Sequence, residues 1–490
     1  MGAKRPGHAR AATPGGDVGA RGDRQPAEGE RAAGRRVRAA LDGVGVLRRG
    51  HRPAAARLGP GPAGARRPAR LVAAATAAAR TSPLALAPTY ERWYWEYLTA
   101  GTEGGPWDSR AMNIERHYGE HADVPAMYSG GWYDSYTRAT IRNWAGLGGK
   151  RSPQHLLMGP WTHGDADTGL TYAGDADLGA DAPTDLVGEQ IRWFDRWLKG
   201  AGETQDPTVR YFLMGGGSGR RLPDGRLDHG GSWRGASTWP PPGSADLHLF
   251  LTGDGHLVDA AGESGTLGYD FDPDDPVPTI GGNISFLGYL RQLPDELLDA
   301  ISVLDRRVLV SPVGGRDQRT YPGLFGARPP YGPLAARADV LTFTTGPLPA
   351  PVQVTGPVRV KLWVDSNAPD TDFTAKLVDW YPPNPDYPEG YALNVADGIQ
   401  RLRFARGFDR ERLHEPGSPV PVLIEMYPTA NVFAAGHRIR LDVSSSNFPR
   451  FDVNPNTGGP LGSARTTAIA RNTVYLGREH PSRLELTVSG

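Results

Sequence analysis

The chain has 490 residues, enough for two or three domains, and its 65 glycines and 45 prolines favour short strands and many turns over a helical bundle. It has no cysteine, which excludes disulfides, thiolate metal sites and a cysteine nucleophile. The formal net charge of zero combines a basic N-terminal segment with an acidic remainder, since residues 1–80 contain 16 arginines and one lysine against five acidic residues.

Residues 1–87 form a low-complexity segment rich in alanine, arginine, glycine and proline. The first 80 residues contain 22 alanines but no Phe, Trp, Tyr, Ile, Asn or Ser. Because such a segment cannot bury enough apolar surface to offset its chain entropy, we expect no independent fold. Three interpretations are open: GC-rich DNA translated in the wrong frame, a disordered tail, or a basic arm that binds nucleic acid. We favour the first and expect no nucleic-acid partner.

Strand-like and helical patterns alternate over residues 88–200, which predicts a parallel sheet. The predicted elements are a helix at Tyr90–Leu98, a strand at Val124–Tyr128 with a turn at Ser129–Gly131, a helix at Tyr136–Leu147, a strand at His155–Met158 closed by Gly159 and Pro160, and a helix at Asp185–Lys199 that stops at Gly200. The expected apolar positions are Ile141 and Trp144 in the second helix, and Leu186, Ile191, Phe194 and Leu198 in the third.

Short strand-like runs separated by Pro, Gly and Asp turns follow in residues 201–490, a pattern typical of an antiparallel β-sandwich. The clearest runs are Val209–Met214, Leu247–Leu251, Val358–Val364, Val422–Met426 and His437–Val443. One stretch differs, since Leu293–Leu304 predicts a short amphipathic helix before a strand at Arg307–Val310.

Two polar residues stand in the loops that follow the two predicted parallel strands. Asp134 comes after the first strand and His163 after the second, 29 residues later. Both loops should emerge at the carboxyl edge of the sheet, where an α/β-hydrolase holds its acid and its histidine. Asp134 would then orient His163, and His163 would take a proton from a serine. From spacing alone, Asp134 as a helix N-cap and His163 as a surface residue stay open.

Other polar residues suggest weaker alternatives. His121 and His155 are alternative bases, but neither stands in a matching motif. A run of aspartates could bind Ca²⁺, although it lacks the spacing of an EF-hand loop and fits a solvated acidic loop better; it comprises Asp165, Asp167, Asp175, Asp177 and Asp181. The sequence contains no P-loop and no dinucleotide fingerprint.

The chain from Pro88 onward resembles the CocE/NonD family of serine hydrolases, which includes cocaine esterases and X-prolyl dipeptidyl-peptidases. The segments GWYDSY and LLMGPWTHG, which contain Asp134 and His163, resemble the acid and histidine segments of that family. Five further segments recur in family order: FDPDDPVPTIGG, RDQRTY, RADVLTFTTGPL, DTDFTAKLVD and FAAGHRIRLDVSSSNFPRFDVNPNTG. The resemblance implies that Asp134 is the triad acid and His163 the triad base. It also implies a truncated α/β-hydrolase domain at 88–200 and a jelly-roll β-sandwich at 201–490.

The family's nucleophile motif is absent from this sequence. Members carry the serine in a G-x-S-x-G elbow, and no serine of this chain has glycine on both sides at that spacing. The resemblance implies hydrolysis of small-molecule esters or peptides without a cofactor or a metal. Because the serine is missing, we expect the chain to be inactive as written. The alternative is a non-catalytic protein that binds a partner through its β-sandwich. With no apolar run of 18 residues and no signal sequence, we expect a cytoplasmic protein without a membrane span, of undetermined oligomeric state.

Overall fold

The computed structural model describes residues 87–166, 169–202, 207–284, 313–462 and 466–490. Its helices are α1 (Pro88–Thr99), α2 (Thr137–Leu147) and α3 (Leu186–Lys199), with 3₁₀ turns at Pro106–Asp108, Ile114–Glu120, Leu334–Ala336 and Leu402–Phe404. Its strands are β1 (Ala126–Tyr133), β2 (Gln154–Thr162), β3 (Tyr172–Ala173), β4 (Ala176–Asp177), β5 (Val209–Met214), β6 (Leu227–Asp228), β7 (Gly231–Ala236), β8 (Ala245–Leu251), β9 (Leu257–Val258), β10 (Gly265–Phe271), β11 (Leu341–Thr344), β12 (Val352–Ser366), β13 (Asp372–Tyr381), β14 (Tyr391–Arg401), β15 (Val420–Glu425), β16 (Thr429–Phe433), β17 (Arg438–Ser444), β18 (Ala470–Leu476) and β19 (Arg483–Ser489). The predictions for residues 1–86, for the helix Leu293–Leu304 and for the strand Arg307–Val310 fall outside the described residues.

Strands β1, β2 and β5 lie side by side in parallel, with β2 in the middle. Helix α2 connects β1 to β2 and packs on the sheet. Trp144 of α2 is buried, and its indole Nε1 donates to the Gln154 carbonyl at 3.1 Å. Ile141, one turn earlier, packs against the same apolar cluster. The predicted inner face of α2 is therefore confirmed.

Strand β5 belongs to this parallel sheet, although the turn-rich sequence around it predicts an antiparallel strand of the sandwich. It runs parallel to β2 along one edge and antiparallel to β7 along the other. All residues of β5 except Arg210 are buried. A nearly continuous buried run is typical of a parallel strand covered on both faces, which explains why β5 does not show the alternation of the later strands.

Two turn signals of the sequence, Gly130–Gly131 and Gly159–Pro160, lie inside strands instead of ending them. β1 continues through Gly130 and Gly131 to Tyr133, and β2 continues through Gly159 to Thr162. A Cβ on Gly131 would stand 2.3 Å from the Trp161 carbonyl oxygen, and one on Gly159 would stand 2.3 Å from the Trp161 ring. Gly131 therefore permits a close approach of β1 to β2, and Gly159 leaves room for the Trp161 ring within β2.

The second region is a β-sandwich, as predicted. Strand β12 lies at the centre of one sheet and pairs antiparallel with β15, β16, β18 and β19. The other sheet has the order β11-β17-β13-β14. Val360 and Leu362 of β12 are buried, whereas the intervening Lys361 is half-buried, and apolar residues of β13 and β17 complete the same core. The order of an α/β unit followed by an antiparallel β-sandwich is therefore confirmed.

Helix α3 has the predicted ends but not the predicted packing. The Asp185 carboxylate accepts from the Gly188 amide at 2.8 Å, and Gly200 ends the helix at a φ of 65°. The stripe residues Ile191, Phe194 and Leu198 are 55%, 57% and 78% exposed, so nothing within the described ranges covers them. Periodic apolar residues thus indicate the amphipathic face but not its partner. No helix in the described part of the chain is long and apolar enough to cross a bilayer.

Candidate active site

Asp134 is the first residue after β1, in a turn that leads into α2. One oxygen of its carboxylate, Oδ1, accepts the backbone N–H of Tyr136 at 2.8 Å. The other, Oδ2, lies 3.1 Å from Nδ1 of His163. The N-cap residue of α2 is Tyr136, without a side-chain cap, so Asp134 orders the turn before the helix rather than capping it.

His163 is the first residue after β2, and the sheet register places it beside Asp134. Tyr133 and Thr162 are paired at the carboxyl ends of β1 and β2, so the residue that follows each strand emerges at the same edge. The side chain of His163 is 32% exposed and that of Asp134 is 15% exposed. The acid is thus shielded from solvent while the histidine remains accessible.

The contact with Asp134 determines the tautomer of His163. An ionised carboxylate only accepts hydrogen bonds, so Nδ1 carries the proton and Nε2 keeps its basic lone pair. Within the residues that the structure describes, Asp134 is the only side chain hydrogen-bonded to the His163 ring. The Tyr136 ring lies beside the imidazole, with ring centroids 5.4 Å apart. The arrangement leaves one basic nitrogen available to remove a proton from a hydroxyl or a water.

The alternative bases do not meet this acid. His155 pairs with Met127 near the start of β1 and β2, at the opposite end of the strands from His163. His121 is exposed, and its Nδ1 bonds the adjacent carbonyl of Ala122 at 3.1 Å. The structure therefore brings His163, and neither of these two, to Asp134.

The aspartates after His163 are spread over separate contacts. Asp175 pairs with Arg316, and Asp165 accepts from the Thr162 hydroxyl. Asp177 accepts from the Thr171 hydroxyl at 3.1 Å and from the Gly179 amide at 3.0 Å. Asp167 lies outside the described residues. Among all residues that the structure describes, no three or more His, Cys, Asp or Glu side chains form a cluster that could hold a metal ion. Asp181 joins no such cluster.

Residues of the sandwich hold the turn that contains Asp134, and sequence reasoning missed them. Asn283 donates from Nδ2 to the carbonyl oxygens of Trp132 at 2.6 Å and Asp134 at 2.9 Å. The Tyr427 hydroxyl donates to the Ser135 carbonyl at 2.9 Å. Asn283 directly follows the segment FDPDDPVPTIGG, but no local sequence signal points from it to a turn 149 residues earlier.

Tyr133 forms another tie between the turn and the sandwich. Its hydroxyl donates to the Asn394 carbonyl at 3.1 Å. Complete burial raises the pKa of Tyr133 well above its ordinary value, and the Asp379 carboxylate adds to the effect, so the hydroxyl stays protonated and remains a donor.

Two family models match the chain. The model for the X-Pro dipeptidyl-peptidase (S15 family) matches residues 45–165, and that for the X-Pro dipeptidyl-peptidase C-terminal non-catalytic domain matches residues 201–485. A curated relative, the cocaine esterase of Rhodococcus sp. (strain MB1 Bresler), is 33% identical over 381 residues, which cover 74% of this chain and 56% of the relative. The chain spans about half the length of the curated relatives it matches.

Solved structures show a similar fold. An α-amino acid ester hydrolase labelled with selenomethionine is 25% identical and aligns with a TM-score of 0.61, over 83% of this chain and 62% of that one. An aminopeptidase from the marine sediment archaeon Thaumarchaeota archaeon is 22% identical and aligns with a TM-score of 0.64, over 84% of this chain and 62% of that one. The second likeness concerns the fold alone.

Proposed function

Because this chain belongs to the CocE/NonD family of serine hydrolases, we propose that Asp134 and His163 are the acid and the base of a Ser-His-Asp triad. The observation that carries the proposal is the 3.1 Å contact between His163 Nδ1 and Asp134 Oδ2 at the carboxyl edge of two parallel strands. This is the position at which an α/β-hydrolase presents its acid and base.

In this proposal the pair acts by holding and moving one proton. Asp134 keeps Nδ1 protonated and stabilises the imidazolium that forms when Nε2 takes the proton of a serine hydroxyl. The serine oxygen bonds to the acyl carbon, and the leaving group departs with that proton. Water then attacks the acyl-enzyme, with Nε2 again taking and returning a proton, so the histidine ends each cycle neutral.

The proposed reaction class is hydrolysis of an ester or an amide without a cofactor. The relatives are named for a peptidase and for esterases, so small-molecule esters and X-Pro peptides are the substrates that we propose to test. The non-catalytic alternative, binding through the β-sandwich, predicts no acyl transfer under any condition.

We further propose that the chain as written does not turn over substrate. No serine of this sequence stands in a G-x-S-x-G elbow, so His163 has no activated oxygen to deprotonate. Residual acceleration from binding and oxyanion donors alone is on the order of 10³–10⁴ over water in the best-studied triad. We define the serine-restored version as a chain in which the DNA for residues 1–87 and its upstream region is read in the frame that encodes such an elbow.

The experiment compares the two versions with a fluorophosphonate label and with a p-nitrophenyl ester and an X-Pro-anilide as substrates. We expect labelling and turnover for the serine-restored version only, and a loss of about 10⁴-fold or more in turnover for His163→Ala. Robust turnover by the chain as written, abolished by His163→Ala, would show that another nucleophile serves the pair. Absence of labelling in the serine-restored version would favour the non-catalytic alternative.

A further inference from the structure

Two side chains of the C-terminal region bind the backbone of the acid turn, which we define as Trp132–Ser135. Asn283 bonds the carbonyl oxygens of Trp132 and Asp134, and Tyr427 bonds that of Ser135. Trp132 and Tyr133 are the buried last residues of β1, and three of the four carbonyl groups of the acid turn are bonded by residues at least 149 positions away in sequence. Thr137 at the start of α2 also bonds the Asp134 carbonyl, so the position of the turn depends on both the helix and the sandwich.

Within the described part of the chain, Asn283 bonds the turn through its amide nitrogen and has no hydrogen-bond partner for its amide oxygen. The side chain is 2% exposed, and its Oδ1 has no hydrogen-bond partner among the described residues. Rotating the amide by half a turn would place Oδ1 against two carbonyl oxygens, so the neighbours determine which end faces the turn. An unpaired buried acceptor lowers stability, so the hydrogen bonds that Nδ2 donates to the turn must outweigh the one that Oδ1 lacks.

The backbone before Asn283 is fixed to the sandwich. Gly281 and Gly282 have φ values of 70° and 94°, a region that favours glycine. The Gly282 amide donates to the Gly314 carbonyl at 2.8 Å, and the Gly314 amide donates back to the Gly282 carbonyl at 3.1 Å. A Cβ on Gly281 would lie 2.4 Å from the Gly314 oxygen, so a side chain there would displace the segment. The glycine pair therefore fixes the backbone position of Asn283.

We propose that Asn283 is a positioning residue for Asp134, with Tyr427 as a second tie, so that the β-sandwich sets the alignment of the acid with His163. The proposal rests on the proposed function of the Asp134–His163 pair and extends it to a region whose family description calls it non-catalytic. Since the Asp134 carbonyl is bonded directly, a shift of Asn283 moves the residue whose carboxylate orients the imidazole.

The test observes the Nδ1 proton of His163 by NMR in the chain as written, labelled with ¹⁵N-histidine, so hydrolysis is not required. We expect a downfield Nδ1–H resonance in the parent chain that Asp134→Ala removes. Asn283→Asp keeps the side-chain shape but turns two donors into acceptors, so we expect the resonance to be lost. For Asn283→Ala we expect the Nδ1 proton of His163 to exchange with water about tenfold faster than in the parent chain.

Asn472 provides the matched control. It is equally buried, donates from Nδ2 to the hydroxyls of Ser445 at 2.8 Å and Thr371 at 3.3 Å, and also leaves Oδ1 unpaired, but all of these contacts lie within the sandwich. We expect Asn472→Ala and Asn472→Asp to lower thermal stability as much as the Asn283 variants do, while leaving the His163 resonance unchanged.

The outcomes separate this inference from the proposed function. Asn283 variants that keep the parent resonance and exchange rate would overturn the inference while the pair itself stands. If the parent chain lacks the resonance, or if the resonance persists in Asp134→Ala, both the inference and the proposed Asp134–His163 pair are overturned. If neither the Asp nor the Ala variant folds, Asn283→Ser becomes the test, because the serine hydroxyl retains one donor. We expect faster exchange for it, and an unchanged rate would overturn the inference.

Discussion

Two histidines, His163 at the edge of the parallel sheet and His229 beside the sandwich, differ in how many ring nitrogens are bonded. His163 uses Nδ1 for Asp134 and remains about one-third exposed. His229 is fully buried, its Nε2–H donates to Asn431 Oδ1 at 2.9 Å, and its Nδ1 accepts from the Tyr381 hydroxyl at 2.5 Å. A histidine with both nitrogens bonded away from solvent stabilises the fold, whereas one with an open basic nitrogen can transfer a proton.

The contacts of His229 belong to a longer network in the sandwich. Asn431 Nδ2 donates to Asp379 Oδ2 at 3.4 Å, and the other carboxylate oxygen accepts from His437 Nδ1 at 2.8 Å. We call His437, Asp379, Asn431, His229 and Tyr381 the buried network. The sandwich therefore has its own His–Asp pair, so the residue types alone do not identify an active site. The position at the carboxyl edge of parallel strands makes the difference.

Of the two histidines, the buried one has the larger expected effect on stability. His229→Ala leaves the Tyr381 hydroxyl and Asn431 Oδ1 unpaired in the interior, so we expect the free energy of unfolding to fall by about 2–4 kcal/mol. His163→Ala should lower it by about 1 kcal/mol or less, since that pair is partly solvated. Urea unfolding of both variants measures the contrast, and equal losses would contradict it.

A glycine substitution tests whether the two regions tolerate bulk differently. Gly131→Ala places a Cβ 2.3 Å from the Trp161 carbonyl oxygen, so we expect a loss of about 1–3 kcal/mol in unfolding free energy. Gly268→Ala in β10 is the control, because its Cβ would meet the Asn472 carbonyl oxygen at 3.5 Å, an ordinary contact. The control should be neutral or slightly stabilising, and a neutral Gly131→Ala would show that the strands can separate.

The pH dependence of stability tests the buried histidine of this comparison. Burial lowers the pKa of His229, so the unfolded chain binds more protons than the folded one below the ordinary value of about 6.5. Stability from this group is therefore present above that pH and is lost as pH falls, by at most about 1.4 kcal/mol per unit. His229→Ala should show a flatter decline between pH 7.5 and 5.5 in urea unfolding. An unchanged slope would contradict a neutral, buried His229.

The smallest effect is expected on helix α3. Leu198 is 78% exposed, so Leu198→Lys should change the unfolding free energy by less than about 0.5 kcal/mol. Leu486→Ala in β19, where the side chain is 1% exposed, should lower it by about 2–5 kcal/mol. A loss above about 1.5 kcal/mol for Leu198→Lys would show that chain outside the described residues packs on the stripe.

The sequence predicts features that depend on local pattern and misses those that depend on distant contacts. Asp134 and His163 follow strand-like runs at a spacing that places them at one edge, and the structure brings them together. Asn283 reaches the turn from 149 residues away, so no local pattern could assign it. Gly131 was misinterpreted because a glycine needed for close approach has the same composition signal as one in a turn.

The most direct test of the central claim, that Asp134 and His163 are a catalytic acid and base, is the rate of fluorophosphonate labelling of the serine-restored version. Asp134→Asn should slow labelling by about 10⁴-fold, because the amide favours the wrong histidine tautomer. Asp379→Asn alters the His–Asp pair of the buried network and should leave the labelling rate of the folded protein within about threefold of the parent. Labelling of the Asp134→Asn variant at the parent rate, or equal slowing by both substitutions, would contradict the claim.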